Sequence, residues 1–378
     1  MKRACCVFLL CSLLYSCKKS NAPAHVTPPD TTGVTQEVHI DYRGADLSFL
    51  PEIEQAGTQF YDTTGAAKTA LTIFKNYGCN LVRVRLWHVP ASDHSALPEV
   101  LAFCKRINDA GLQILLDIHY SDTWADPGQQ AIPAAWAGLA ITALQDSVKT
   151  YTQRVIGLLK AQNTMPAIVQ VGNEINGGFL WPQGKITGNS DANWANFATL
   201  IKSGIAGIKA VDTDNSISIM LHYAELDGAS GFYSNMVTQG VQFDMIGLSY
   251  YPWWAEKDLA YIQSQLNNLA PFNKKIFIVE TAYPFTLSWN DNTNNSVGEA
   301  SQLIPAYGAT PQGQLMYLEQ LKTMLAAIPN KLGAGLCYWA PDWVAFRGAT
   351  ATNGSNAENL ALFDFNNKAL AGLKAYKE

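Results

Sequence analysis

Two glutamates close apolar runs of strand length. Ile168-Val-Gln-Val171 leads through Gly172 into Asn173-Glu174, and Lys275-Ile-Phe-Ile-Val279 ends on Glu280. A carboxyl fixed at a rigid strand end beside an amide such as Asn173 can serve as a general acid. Taken singly, each reads equally well as a cap or as half of an ion pair. Taken together they suggest more, because two carboxyls flanking a cleft can protonate a leaving oxygen on one side and attack, or activate water, on the other. Cleavage of a glycosidic bond needs that pair. Aromatic residues gather at the same kind of position, and their rings suit the apolar C–H faces of sugars.

These residues need a frame that brings distant strand ends together. Apolar runs of strand length occur at 38–42, 81–86, 113–118, 167–171, 216–221, 243–248, 275–279 and 334–338. Between them, stretches such as 97–110, 145–160, 194–211 and 311–327 carry apolar residues at helical spacing. Eight strands alternating with helices imply parallel pairing, and the length fits a closed (β/α)8 TIM barrel, an α/β fold, with a single catalytic domain over 37–378. A doubly wound open sheet is the rival, but "RGADLSFLPE" after the first strand carries no glycine-rich phosphate loop. In a barrel, chemistry sits at the strand C-termini. Strand one ends at Asp46, strand two at Arg85 and Trp87, and strand three at His119, Asp122 and Trp124. Asn173, Glu174 and Trp181 follow strand four, His222 strand five, Tyr250, Tyr251, Trp253 and Trp254 strand six, Glu280 strand seven, and Trp339, Asp342 and Trp343 strand eight. Strands four and seven face each other across such a mouth, which lets Glu174 and Glu280 approach.

Composition narrows the classes. The chain has 378 residues, 48% hydrophobic and 15% charged, with a net charge of −5. That suits one large core and offers no basic footprint for nucleic acid. The start, "MKRACCVFLLCSLLYSC", has a basic end, an apolar run too short to span a membrane and a small residue before Cys17. It reads as a lipoprotein signal peptide over 1–16, with lipid on Cys17, or as a plain secretory signal with an incidental cysteine. Residues 17–36 are polar and proline-bearing, as a flexible tether would be. The expected location is therefore outside the cytoplasm, anchored to a bacterial membrane by lipid alone, with the outer membrane or cell surface favoured by the size of the substrate. Cys79, Cys104 and Cys337 stand isolated among apolar neighbours and imply no disulfide framework.

A metal-dependent hydrolase would place histidines on several strands. His119 and His222 meet that description, but His39 falls at the wrong end of strand one. No catalytic metal and no required cofactor are expected. The two histidines are read as sugar-binding, carboxylate-orienting or structural groups.

Several segments are similar to those of a known family. "GADLS" at 44–48, "DIHYSDTWADPG" at 117–128, "VQVGNEINGGFLWPQG" at 169–184, "IGLSYYPWW" at 246–254, "VETAYPFT" at 279–286 and "YWAPDW" at 338–343 resemble the signature segments of glycoside hydrolase family 53, the endo-β-1,4-galactanases. The resemblance runs in order from about residue 40 to 365. It implies a retaining barrel hydrolase that cuts internal β-1,4 bonds of galactan side chains in pectin, with Glu174 as acid/base and Glu280 as nucleophile. It also implies that Asn173 bonds the sugar 2-hydroxyl, that Arg85, His119, Tyr250 and Trp339 shape the first subsite, and that Tyr250 or Tyr251 lies near the nucleophile. Asp46, Trp87, Asp122, Trp124, Trp181 and His222 complete the expected substrate contacts, and a monomer acting on polysaccharide is the expected working form.

The sequence departs from the family at Ala340, Asp342 and Ala224, which bear on subsite preference and leave the carboxylate pair alone. Some members bind calcium after strand seven. Here "WNDNTNNSVG" supplies one carboxylate, Asp291, which supports a structural calcium only weakly. Two other readings remain open on the sequence: a glycan-binding lipoprotein without catalysis, and a barrel hydrolase of the same mechanism acting on mannan or xylan.

Overall fold

The computed structural model describes residues 38–378. The expected signal peptide, Cys17 and the tether lie outside the described residues.

Eight parallel strands form a closed barrel: β1 (Tyr42–Asp46), β2 (Leu81–Leu86), β3 (Gln113–Ile118), β4 (Ile168–Val171), β5 (Ser218–Ala224), β6 (Met245–Ser249), β7 (Lys275–Thr281) and β8 (Gly333–Trp339). Around the barrel they run β1-β8-β7-β6-β5-β4-β3-β2, and β2 pairs back to β1. The helices are α1 (Leu50–Gln55), α2 (Ala70–Asn76), α3 (Leu97–Asp109), α4 (Ile141–Ala161), α5 (Trp194–Lys209), α6 (Ala229–Thr238), α7 (Leu259–Asn267) and α8 (Pro311–Ala326). α3 shows how they are specified. Pro98 sits in its first turn, where no intrahelical donor is missed, and Val100, Phe103, Cys104 and Ile107 form one buried face at helical spacing. Each large side chain on that face contributes roughly 1.5–3 kcal/mol by leaving water.

The barrel interior is layered by the two-residue period of its strands. Leu81, Leu115, Ile168 and Met220 belong to one apolar cluster with Met245, Phe277, Val279 and Cys337. Two residues further along β2, β3, β4 and β5 come Arg83, Asp117, Gln170 and His222, all buried. The apolar layer closes the barrel, and the polar layer above it forms the floor of the mouth.

The first strand begins four residues later than the sequence pattern suggests, at Tyr42 instead of Val38. The sequence pattern places "RGAD" after the strand, yet Gly44 is strand, where the chain comes close to β8. A Cβ at Gly44 would stand 3.1 Å from the Cβ of Cys337. Below this strand, Arg43 donates through Nε to the Gly78 carbonyl at 3.0 Å and through Nη1 to that of Ile40 at 3.1 Å. Its Nη2 lies 3.1 Å from Oε1 of Glu378. Both ends of the described chain therefore meet at the N-terminal face of the barrel, opposite the mouth.

Candidate active site

β4 ends at Val171, and the chain turns sharply to present Glu174. Gly172 adopts φ +85°, where a Cβ would stand 2.7 Å from the Ile175 side chain, and Glu174 itself takes a left-handed φ of +45°. Oε1 of Glu174 accepts from the Ser249 hydroxyl on β6 at 2.6 Å, and Nε2 of His222 lies 2.9 Å from that same hydroxyl. Glu280 stands near the end of β7. Its Oε1 is 2.8 Å from Nη1 of Arg83, and its Oε2 accepts from the Tyr251 hydroxyl at 2.8 Å. A carboxyl oxygen of Glu174 and one of Glu280 lie within 4.8 Å of each other, with a His222 nitrogen inside the same radius.

The two carboxyls differ in what they can do. Burial, and then the charge of Glu280, push Glu174 up to about 8, so it keeps its proton at neutral pH. Burial also raises Glu280, but Arg83 and the Tyr251 hydroxyl oppose the rise by stabilising its anion. With like charges this close, the proton goes to the member that lacks a cation. The surroundings therefore favour the proton on Glu174 over Glu280.

Arg83 is the residue that sequence reasoning missed. It is 2% exposed, and besides Glu280 it meets Asp46 Oδ2 at 2.7 Å, Asp117 Oδ2 at 2.9 Å and Asn173 Oδ1 at 2.8 Å. Its attention-drawing neighbour was Arg85, which lies nearer the strand end. The alternation in "LVRVRL" points both arginines to one face, and an inward arginine deep in a barrel needs acids around it. Burial works against the Asp117 carboxylate, yet Arg83 and then His119 hold it below the usual carboxylate range. His119 donates through Nε2 to Asp117 Oδ2 at 2.9 Å, and its Nδ1 accepts from the Ala125 amide at 3.2 Å. With Nδ1 the acceptor, Nε2 carries the proton. Burial keeps both His119 and His222 below their ordinary values and neutral. Every ring nitrogen of the two is engaged by a protein neighbour.

A cleft of about 370 Å³ opens above this floor. Asp46, Arg85, His119, Trp124, Asn173, Glu174, Tyr251, Glu280 and Trp339 line it, together with Trp253, Trp254 and Trp343. Asn173 is pinned by donating through Nδ2 to the Ala125 carbonyl at 2.8 Å. Arg85 lies 4.0 Å above the Trp124 ring and 4.6 Å above that of Trp87, and burial brings its guanidinium down to about 10. Trp87 is packed beneath that stack, away from the lining. His222 lies under the floor. Tyr250 is buried with its hydroxyl donating to the Glu256 carbonyl at 2.9 Å, and its neighbour Tyr251 is the one that reaches Glu280. Asp122 ties loops together by accepting from the amides of Val89 at 2.9 Å and Ala134 at 2.8 Å. Trp181 turns from the cleft, donating from Nε1 to the Gly177 carbonyl at 2.8 Å with Lys185 over its ring.

The departures at strand ends are structural in their surroundings. Ala340 is buried at a left-handed φ of +48°, and Ala224 exchanges two hydrogen bonds with the side chain of Asn176. Asp342 is fully buried, and neither carboxyl oxygen has a hydrogen-bond partner. Burial pushes it well above the carboxylate range.

The loops after β7 and β8 meet at Asp291 and Glu358. Oε1 of Glu358 accepts from the amides of Asn290 and Asp291, while Glu358 Oε2, Asp291 Oδ2 and Asn295 Oδ1 are buried without partners. Two carboxylates are among these oxygens, the donor type that calcium takes, while the equally unpartnered Nδ2 of Asn295 is not a ligand for it. Glu358 is the carboxylate that a reading of the first loop alone does not supply.

Comparison with known proteins agrees with this geometry. Residues 42–376 match the model of glycosyl hydrolase family 53. The chain is 38% identical over 344 residues to an arabinogalactan endo-β-1,4-galactanase of Cellvibrio japonicus, covering 89% of this chain and 90% of that one. It is 33% identical over 350 residues to another from Thermothelomyces thermophilus, covering 89% and 99%. Among solved structures, a GH53 catalytic domain from Ignisphaera aggregans superposes with a TM-score of 0.84 at 34% identity, covering 90% of this chain and 97% of that one. With the family model spanning nearly the whole barrel and both strand-end glutamates paired across its mouth, this chain belongs to glycosyl hydrolase family 53.

Proposed function

We propose that the protein is a retaining endo-β-1,4-galactanase, with Glu174 as proton donor and Glu280 as nucleophile. The observation that carries the mechanism is that one carboxyl oxygen of Glu174 and one of Glu280 lie within 4.8 Å of each other, in keeping with the roughly 5–5.5 Å separation of a retaining pair. The galactan substrate is carried by the likeness to galactanases over most of the chain. In the first step Glu280 attacks the anomeric carbon. The glycosidic C–O bond breaks, and the leaving oxygen takes the proton of Glu174. A water then attacks the same carbon, gives a proton back to Glu174, and releases Glu280. Two inversions give net retention. Arg83 and Tyr251 hold the attacking carboxylate by its two oxygens, and Asn173 presents its amide to the reacting sugar. Hydrolysis of a panel of β-1,4-linked polysaccharides, with products sized and followed by proton NMR, tests this. β-1,4-Galactan should be cut internally with the β-anomer appearing first. Preference for mannan or xylan overturns the substrate, an initial α-anomer overturns the mechanism, and binding without hydrolysis favours the glycan-binding reading.

Two further parts of the reading rest on separate grounds. The sequence around Cys17 supports a lipid anchor on an exported enzyme. Cys17→Ser should move the protein from the membrane to the soluble fraction with activity intact, and a variant that stays with the membrane removes the anchor. The orphaned oxygens of Asp291, Asn295 and Glu358 support a calcium ion that holds the loops after β7 and β8 together. A chelator should then lower the melting temperature, with calcium restoring it.

A further inference from the structure

His94 stands in the loop between β2 and α3, and Nη2 of Arg85 lies 2.9 Å from its Nε2. A guanidinium only donates, so Nε2 is the acceptor and the ring proton sits on Nδ1, 3.2 Å from Oε1 of Glu99. That glutamate is fixed in turn by the Ser95 amide, which donates to the same oxygen at 2.7 Å. Ser95 takes a left-handed φ of +57°, and its hydroxyl accepts from Nε of Arg85 at 3.2 Å. Consecutive side chains of one loop thus hold Nε and Nη2 of the same guanidinium. The His94 ring stacks on Phe49 with centroids 5.6 Å apart, and 14% of its side chain is exposed.

This hold matters because Arg85 lines the cleft. Its guanidinium lies 4.0 Å above Trp124 and 4.7 Å above Phe49, and Phe49 stacks on Trp343 at 3.9 Å. Trp124 and Trp343 line the cleft too, so a displaced Arg85 loosens a whole section of its wall. A second group competes for Nε2 of His94. Oε2 of Glu52, on α1, stands 3.9 Å from it, while Oε1 of Glu52 pairs with Arg347 from the loop after β8. The neutral ring has a lone pair for Arg85 and nothing to give Glu52. Once protonated, Nε2 carries an N–H that Glu52 can accept from and Arg85 cannot, and two cations face each other. Glu99 and Glu52 favour the charged ring, and Arg85 opposes it. We infer that His94 is a positioning residue for Arg85, holding the cleft wall in place while neutral and releasing it when protonated. The consequence falls on binding: acid raises KM through His94, whereas protonation of Glu280 lowers kcat.

The effect on substrate rests on the galactanase reading, and the experiment separates the two. Nitrogen-15 NMR of the imidazoles, with His94 assigned by its loss in His94→Gln, reads the tautomer without substrate. At alkaline pH the proton should be on Nδ1 with Nε2 bare, and a neutral ring protonated on Nε2 overturns the inference. The second measurement is KM on β-1,4-galactan against pH. His94→Gln places an amide oxygen near the site of Nε2 and cannot take up a proton. Its KM should lie within about threefold of wild type at pH 7.5 and stay level toward acid, where that of wild type climbs about tenfold. His94→Leu offers no acceptor and should show the raised KM at every pH. A wild-type KM that stays level, or one that climbs equally in His94→Gln, overturns the inference, and this comparison stands even if His94→Leu does not fold. Failure of the galactanase reading appears separately, as a wild type that leaves galactan intact, and the imidazole spectrum still decides the hold on Arg85.

Discussion

Nη1 of Arg83 lies 2.8 Å from Oε1 of Glu280, deep in the barrel, and the same guanidinium neutralises Asp46 and Asp117. Arg83→Met would leave three buried acids facing one another, at a cost of about 3–5 kcal/mol. The sign of the pH dependence follows from Asp117, whose carboxyl is held low when folded. Its contribution is present above its unfolded value and fades as pH falls through the lowered one. The gap in melting temperature between wild type and variant should therefore be wide at pH 7.5 and narrow toward acid. An equal gap at both ends contradicts the assignment.

The proton on Glu174 sets the alkaline limit. With Glu174 raised to about 8, kcat should be full below that value and fall as pH climbs through it. Ser249 donates to the Glu174 carboxylate and so lowers its pKa. Ser249→Ala should shift the alkaline limb upward by roughly one unit, the equivalent of one hydrogen bond to a charged group. A pH–rate profile decides it, and a downward shift counts against Glu174 as the acid.

The two glutamates should fail differently. Glu280→Ala removes the attacking oxygen, and azide should restore turnover with an α-glycosyl azide retaining no enzyme bond. Glu174→Ala should spare an aryl glycoside whose leaving group needs no proton while losing about 10²–10⁴-fold on galactan. Equal losses on both substrates for Glu174→Ala would reverse the roles.

Asp342 offers a test in stability alone. Its raised carboxyl is accommodated while protonated, so that part of the stability is present at low pH and lost as pH rises through the folded value. Asp342→Ala removes a buried group without partners, and the variant should gain about 1–3 kcal/mol over wild type at alkaline pH, with less gain in acid. Denaturant unfolding at two pH values measures the difference. A gain that shrinks as pH rises contradicts the burial argument.

The barrel was legible because buried parallel strands read as continuous apolar runs and their helices carry a clean period. β1 was displaced because Gly44-Ala45 lacks the bulk that marks a strand, and its need for small residues comes from β8, far away in sequence. Glu174 and Glu280 were legible because both stand at strand ends. Arg83 was not, since it sits two residues inside β2, in a layer whose partners come from β1, β3 and β7. Trp181 and Tyr250 were read as facing the substrate because loop aromatics carry no direction in the sequence. Only the turn of the backbone decides between Tyr250, which points inward, and Tyr251, which reaches the nucleophile.

Arg43 binds the Ile40 carbonyl and the Glu378 side chain at one end of the barrel, while the glutamate pair opens at the other. Either of these two points can thus serve as a handle. A bead, electrode or fused module coupled through residue 38, within the chain, or through residue 378 would leave the mouth facing outward into the medium. A long, insoluble polymer could then be worked on from above, without the support standing in its way.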